Sequence, residues 1–150
     1  MKILVVLSVL LTVSSAKILT RCEFARIVKN SILSNFTSQN MNDWMCLAFY
    51  ESQYDTLALR YNQPSDGKIG SENFGIFQIN SSWWCDSWRF ANSPNYCHIS
   101  CNEFLQDNKN LVSNTLCAAV IVNRQGMEAW SSWIKKCKGK FLGHFTESCF

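Results

Sequence analysis

The sequence predicts an α+β fold in which helices flank a small central β region and disulfides hold the chain together. Apolar residues recur at three- and four-residue steps near both ends of the chain, which is the spacing of amphipathic helices. The middle of the chain collects Asn, Pro, Ser, Asp and Gly, which are typical of turns between short strands. Eight cysteines, an even number, indicate a disulfide framework, and 150 residues fit one domain.

Residues 1–16 are predicted to be a signal peptide. Lys2 precedes an apolar run over residues 3–13, and Ala16 ends a small-residue cleavage motif. The apolar run is too short to cross a membrane, which takes about 20 residues. We therefore expect cleavage after Ala16, a single domain over 17–150 and secretion to the extracellular space.

The composition excludes several classes of protein and partner. Charged residues make up 17% of the chain and the net charge is +3, which fits neither an acidic disordered chain nor a strongly basic nucleic-acid binder. In an exported chain the cysteines predict four disulfides, although their spacing leaves all 105 pairings open. Oxidation also disfavours a zinc site at Cys97, His98 and Cys101. We expect a monomer without a cofactor.

Four helical segments and one strand are predicted along the mature chain. Trp44 and Trp133 are expected in the core, because large apolar side chains on helix stripes are usually buried. The predicted segments are a helix from Cys22 to about Leu33, a helix that begins at Asn40 or Asn42 and carries Trp44, Ala48 and Glu51 on one face, a strand from Phe74 to Ile79, an irregular loop from Cys85 to Cys101, a helix from Leu111 to Val122, and a short helix between Gly126 and Gly139.

Three stretches of the chain, residues 46–52, 74–85 and 126–130, resemble the signature motifs of C-type lysozymes. All eight cysteines also follow that family's order, and the likeness covers essentially all of Lys17 to Phe150. The resemblance implies a helical lobe, a smaller antiparallel β lobe over about residues 57–101, and a cleft between them for a sugar chain. It also implies four disulfides, which are Cys22–Cys149, Cys46–Cys137, Cys85–Cys101 and Cys97–Cys117.

The activity implied by the resemblance is hydrolysis of the β-1,4 bond between N-acetylmuramic acid and N-acetylglucosamine in bacterial peptidoglycan. Such hydrolysis ordinarily takes two carboxyl groups. Glu51 suits the general acid, since partial burial raises a carboxyl pKa. The family's catalytic Asp is replaced by Asn73, whose missing charge costs several kcal/mol of barrier.

Two alternatives follow from Asn73. Glu72 is the adjacent carboxylate, but its use requires a register slip that also reverses Phe74 and Phe77. The other alternative is a non-catalytic protein for glycan binding or cell-surface recognition on the same fold. The segment from Glu51 to Phe74 is also a few residues longer than is usual in the family, which alters the rim of the β lobe.

Several residues are predicted to bind the glycan, either peptidoglycan or a chito-oligosaccharide. Trp83 and Trp84 follow the predicted strand, and indole rings stack on sugar rings. The resemblance implies further groove positions at Gln78, Asn80, Ala129 and Trp130.

Two glycosylation sequons begin at Asn35 and Asn80. A glycan on Asn80 would crowd the predicted groove, whereas Asn35 is expected on a surface loop. No metal is expected, because only Glu103 and Asp107 lie between Cys101 and Cys117, where calcium-binding relatives cluster several Asp residues.

Overall fold

A computed structural model describes residues 17–36, 39–68, 70–105 and 110–150, so the predicted signal peptide lies outside the described residues. Within them, a three-stranded antiparallel sheet has the order β1–β2–β3. The α-helices are α1 (Arg21–Lys29), α2 (Met41–Ser52), α3 (Val112–Gln125) and α4 (Ser131–Lys136). The strands are β1 (Leu59–Tyr61), β2 (Glu72–Phe74) and β3 (Ile79–Asn80), and short 3-10 helices cover Ile32–Asn35, Cys101–Leu105, Met127–Ala129 and Gly143–Phe145. The predicted α+β class is confirmed.

Side-chain caps define the start of α1 and α2. Thr20 caps α1 and Asn40 caps α2, each in a reciprocal capping box with the acidic residue three positions later. The predicted end of the first helix at Leu33 is wrong, because α1 ends at Lys29. Ser31 accepts a hydrogen bond from the Leu33 amide and starts a separate 3-10 turn, so a local side-chain bond replaces the helical one.

Aromatic side chains from both lobes meet in the core. The ring of Phe77, from the connection between β2 and β3, lies 5.9 Å from Trp44 and 5.8 Å from Phe24, both edge-to-face and fully buried. Burial of such a side chain stabilises the fold by roughly 1.5–3 kcal/mol. Trp44 and Trp133 are buried, which confirms their predicted core positions.

The connection between β2 and β3 is a turn, so the prediction of one strand from Phe74 to Ile79 is wrong. Gly75 and Gln78 have positive φ angles of 70° and 49°, and the Gln78 amide donates to the Gly75 carbonyl at 3.0 Å. Ile76 and Phe77, at the tip of the turn, are fully buried. The apolar run therefore reflects burial of a turn, which periodicity alone does not distinguish from a buried strand.

Four disulfides connect the described elements, and all eight cysteines are paired. Each closed loop restricts the unfolded chain and contributes about 2–4 kcal/mol. In the described part of the chain, the helices are too short or too polar to span a bilayer. The disulfides are Cys22–Cys149, Cys46–Cys137, Cys85–Cys101 and Cys97–Cys117, the pairs that the resemblance implies.

Gly75→Ala is expected to destabilise the protein by about 3 kcal/mol, at the upper end of ordinary point mutations. A Cβ atom at Gly75 would lie 2.6 Å from the carbonyl oxygen of Phe104 and 2.6 Å from Oδ1 of Asn114. Gly67→Ala is the matched control, because Gly67 has a φ of 72° but nothing within 4 Å of its Cβ position. The control should lose only about 1 kcal/mol. Equal losses in urea denaturation would contradict this account of the turn.

Candidate active site in the cleft between the lobes

A cleft of about 560 Å³ lies between the helical lobe and the sheet. Its volume is in the range of small-ligand pockets. The structure brings all of the predicted catalytic and sugar-binding residues to its lining, namely Glu51, Asn73, Gln78, Asn80, Trp83, Trp84, Ala129 and Trp130.

Glu51 lies in the last turn of α2 and is half-buried at the cleft. The neighbouring Ser52 hydroxyl donates to the Ile76 carbonyl at 2.8 Å, which attaches this end of α2 to the β2–β3 turn. Burial raises the pKa of Glu51, and a hydrogen bond from the Ser132 hydroxyl to Oε1 and the charge of Arg60 oppose the rise without cancelling it. The Glu51 carboxyl is therefore protonated at a higher pH than a solvated one, as a general acid requires.

Asn73 presents an amide to the cleft from the middle of β2. Its Oδ1 accepts a hydrogen bond from Asn80 Nδ2 at 2.7 Å, and the same Nδ2 donates to Ser71 Oγ at 2.9 Å. Asn73 Oδ1 therefore accepts one hydrogen bond from within the protein. Asn73 presents a neutral amide to the cleft at the position where the resemblance implies a carboxylate.

The Glu72 side chain does not line the cleft. This excludes the alternative in which a shifted strand register makes Glu72 the second carboxylate. Its side chain is buried and Oε2 accepts from Ser87 Oγ at 2.6 Å, while Oε1 lies 3.6 Å from Nε of Arg89. Glu72 shares its buried face of β2 with Phe74, whereas Asn73 lines the cleft. Alternation along the strand therefore excludes Glu72 as the second carboxylate.

Arg60 is a charged residue that the sequence analysis missed. It lies directly opposite Asn73 in the β1–β2 ladder, and opposed residues of an antiparallel pair have their side chains on the same face. Burial raises the pKa of Glu51, and the Arg60 charge lowers it. A positive side chain thus lies beside Asn73. The sequence analysis predicted turns after residue 60 and therefore did not predict β1. Alternation of side chains along β1 would have indicated the position of Arg60.

The tryptophans of the cleft differ in exposure. Trp83 is 55% exposed and offers a ring face, whereas Trp84 is 6% exposed and packs against Tyr96 at 5.8 Å between ring centroids. Both indoles line the cleft, and stacking of a sugar on either one stays a prediction. Trp130 is buried and its Nε1 donates to the Phe77 carbonyl at 2.8 Å, so this indole joins the helical lobe to the β2–β3 turn.

Gln78 is a buried polar residue in the lining of the cleft. The side chain is 6% exposed, and Nε2 donates to the carbonyls of Ala58 at 3.1 Å and Gly75 at 2.9 Å. Its Oε1 has no hydrogen-bond partner among the described residues. An unsatisfied buried acceptor costs about 1–3 kcal/mol.

Asn35 and Asn80 begin the two sequons, and Glu103 and Asp107 are the acidic residues between Cys101 and Cys117. Both Nδ2 hydrogen bonds of Asn80 are made inside the protein, which opposes a glycan there, whereas Asn35 is exposed. Glu103 lies in a 3-10 helix and Asp107 lies outside the described residues. In the part of the chain that the structure describes, no three His, Cys, Asp or Glu side chains form a metal-binding cluster.

Ser132→Ala is expected to raise the pKa of Glu51 further. The Ser132 hydroxyl stabilises the ionised carboxylate, so its removal extends the protonated form to higher pH. An NMR titration of the Glu51 carboxyl carbon measures the change. Ser131→Ala is the matched control, because Ser131 also lines the cleft. A Glu51 pKa that stays constant or falls in Ser132→Ala would contradict the assignment.

Comparison with known proteins agrees with this architecture. The model of the C-type lysozyme/alpha-lactalbumin family matches residues 17–149. Among similar proteins, lysozyme C of Trichosurus vulpecula is 40% identical and lysozyme C-1 of Ovis aries is 37% identical, each over 99% of both chains. Lysozyme C-1/C-2 of Axis axis is 38% identical over 89% of this chain and 98% of its own length. The chain therefore belongs to the C-type lysozyme/alpha-lactalbumin family.

Proposed function

We propose that this protein binds bacterial peptidoglycan in the cleft and slowly hydrolyses β-1,4 bonds between N-acetylmuramic acid and N-acetylglucosamine. The observation that carries the proposal is the half-buried Glu51, with its raised pKa, in one cleft with Asn73 and the exposed ring of Trp83. The names of the similar proteins, all lysozymes of type C, support the same reaction class.

In the proposed reaction, Glu51 protonates the departing glycosidic oxygen as the C–O bond breaks, and a water molecule then bonds to the sugar ring and returns a proton to Glu51. Positive charge develops on the sugar ring as the bond breaks, and a carboxylate would normally form a covalent bond to the ring or stabilise that charge. Asn73 does neither, and the Arg60 guanidinium on the same face of the sheet adds repulsion. The loss amounts to several kcal/mol of barrier. Because each 1.4 kcal/mol is about tenfold in rate, we infer turnover far below that of a protein with Asp at position 73.

A second candidate function is glycan recognition without turnover. The pairing of Asn73 with Arg60 across β1 and β2 favours it, because both residues work against the reaction and neither removes the sugar-binding groups. Trp83 keeps an exposed ring face in the cleft. Binding and hydrolysis are separable in this cleft, and the two functions are distinguished by measuring each.

The proposal includes export of the protein. We propose that residues 1–16 are removed as a signal peptide and that residues 17–150 act outside the cell as a monomer. Eight paired cysteines support this location, because disulfides persist in oxidising compartments. The proposed reaction uses only side chains and water, so it needs no cofactor.

Asn73→Asp is expected to increase hydrolysis at least tenfold. Asn80 Nδ2, now 2.7 Å from Asn73 Oδ1, would hydrogen-bond the new carboxylate, and the added charge stabilises the sugar cation. Adding Arg60→Gln should raise the rate again, because it removes the neighbouring positive charge. The rate is measured as release of reducing ends from peptide-free oligosaccharides of alternating N-acetylglucosamine and N-acetylmuramic acid.

Two controls accompany this measurement. Glu51→Gln should abolish hydrolysis, whereas Glu72→Gln should leave it unchanged because Glu72 faces away from the cleft. If Asn73→Asp stays inactive while the oligosaccharide still binds, the catalytic proposal is wrong and glycan recognition is the better account.

Trp83→Ala is expected to weaken binding of a chito-oligosaccharide about tenfold, because a sugar ring loses its stacking surface. Calorimetry on the Glu51→Gln background prevents cleavage during the titration. Phe141→Ala is the matched control, since it removes an 88% exposed ring that does not line the cleft. Equal affinities of the Trp83 and Phe141 variants would refute the stacking role.

A further inference from the structure

A second pocket, of about 570 Å³, adjoins the cleft. Asn62 and Ser71 line both pockets. Asn62 Nδ2 donates to Ser71 Oγ at 3.2 Å, and Ser71 Oγ also accepts from Asn80 at 2.9 Å. A hydrogen-bonded polar ridge of these three residues therefore separates the two pockets, so one ligand that crosses the ridge would occupy both.

The second pocket contains an exposed aromatic surface that a cation holds in place. The guanidinium of Arg89 lies 4.8 Å from the ring centroid of Trp88 and 5.1 Å from that of Tyr61. Trp88 is 81% exposed and Tyr61 is 54% exposed. Because contact with Arg89 already restricts both rings, a ligand that binds against them loses little additional side-chain entropy.

Arg89 has unused hydrogen-bonding capacity. Its Nε lies 3.6 Å from the buried carboxylate of Glu72. This ion pair holds the Arg89 side chain in place. Among the described residues, no hydrogen-bond partner contacts its Nη atoms, whereas Lys68 in the same pocket already pairs with Asp66 at 2.9 Å. The terminal edge of a guanidinium binds a carboxylate through two parallel hydrogen bonds.

The two pockets differ in charge. Of the described residues that line the cleft, none is Lys, Arg or His, whereas Lys68 and Arg89 line the second pocket. The cleft suits the neutral hydroxyl and acetamido groups of a sugar chain. The second pocket suits a ligand that has both a carboxylate and small apolar groups. Peptidoglycan combines these two chemistries, because its N-acetylmuramic acid units carry short acidic peptides.

We propose that the second pocket binds the acidic peptide of peptidoglycan, with a peptide carboxylate on Arg89 and peptide apolar groups against Trp88 and Tyr61. This inference rests on the proposed function, because the peptide is attached to the glycan in the cleft. Chitin has no such peptide. The second pocket would therefore make the protein select peptidoglycan over chito-oligosaccharides.

The test compares two tetrasaccharides of alternating N-acetylglucosamine and N-acetylmuramic acid, one with its tetrapeptides and one without. On the Glu51→Gln background, calorimetry should show about tenfold tighter binding of the peptide-bearing form, or about 1.4 kcal/mol. Trp88→Ala and Arg89→Lys should each remove this advantage and leave binding of the peptide-free form unchanged. Arg89→Lys keeps the positive charge beside Glu72 but loses the two-pronged contact.

The outcomes separate this inference from the proposed function. Equal affinities for the two ligands would overturn it. An equal loss of affinity for both ligands in Trp88→Ala would also overturn it, because Trp88 would then contact the sugar rather than the peptide. A peptide with amidated carboxylates that binds as tightly would overturn the Arg89 contact. If only the peptide-bearing form binds, and binding depends on Trp88, the inference stands and the sugar-binding cleft is refuted. If neither form binds, both proposals fail.

Discussion

Burial of the β2–β3 turn in the helical lobe is the constraint on which the rest of this structure depends. Phe77 inserts between Trp44 and Phe24, and its carbonyl accepts from Trp130, while Ser52 bonds the adjacent carbonyl of Ile76. These contacts fix α2 and β2 relative to each other. Glu51 and Asn73 share one cleft because their elements end at this junction. The lobes have little freedom to separate there, since opening would expose fully buried aromatic surface.

The electrostatics of the cleft separate two properties that a glycosidase normally combines. Desolvation keeps Glu51 protonated to higher pH, which serves proton donation. The opposite wall has the neutral amide of Asn73, whose oxygen accepts a hydrogen bond from Asn80, beside the positive charge of Arg60. In the proposed function, sugar binding depends on stacking and hydrogen bonds, which Asn73 leaves in place. Stabilisation of a developing cation depends on negative charge, which Asn73 would not supply.

The rim of the β lobe connects this cleft to a surface of different chemistry. Loop residues between β1 and β2 line the second pocket together with Trp88 and Arg89. Glu72 is central to this arrangement although it is absent from the cleft, because its buried carboxylate contacts both Ser87 and Arg89. Neighbouring residues of one strand, Glu72 and Asn73, thus support two different surfaces. The strict alternation of side chains along β2 is the reason.

Local features were readable from the sequence. Capping residues act within a few positions, so the start of α2 was predictable to Asn40 or Asn42, and the structure selects Asn40. The resemblance of residues 46–52 and 74–85 to family motifs indicated Glu51 and Asn73, and both line the cleft. Long-range packing decided the rest. Ile76 and Phe77 lie in a turn because the helical lobe buries them, Trp84 is covered by Tyr96, and Arg60 reaches Asn73 only through strand pairing. A one-dimensional pattern records that a residue is apolar or charged, but its partner across the fold determines whether it packs, stacks or repels.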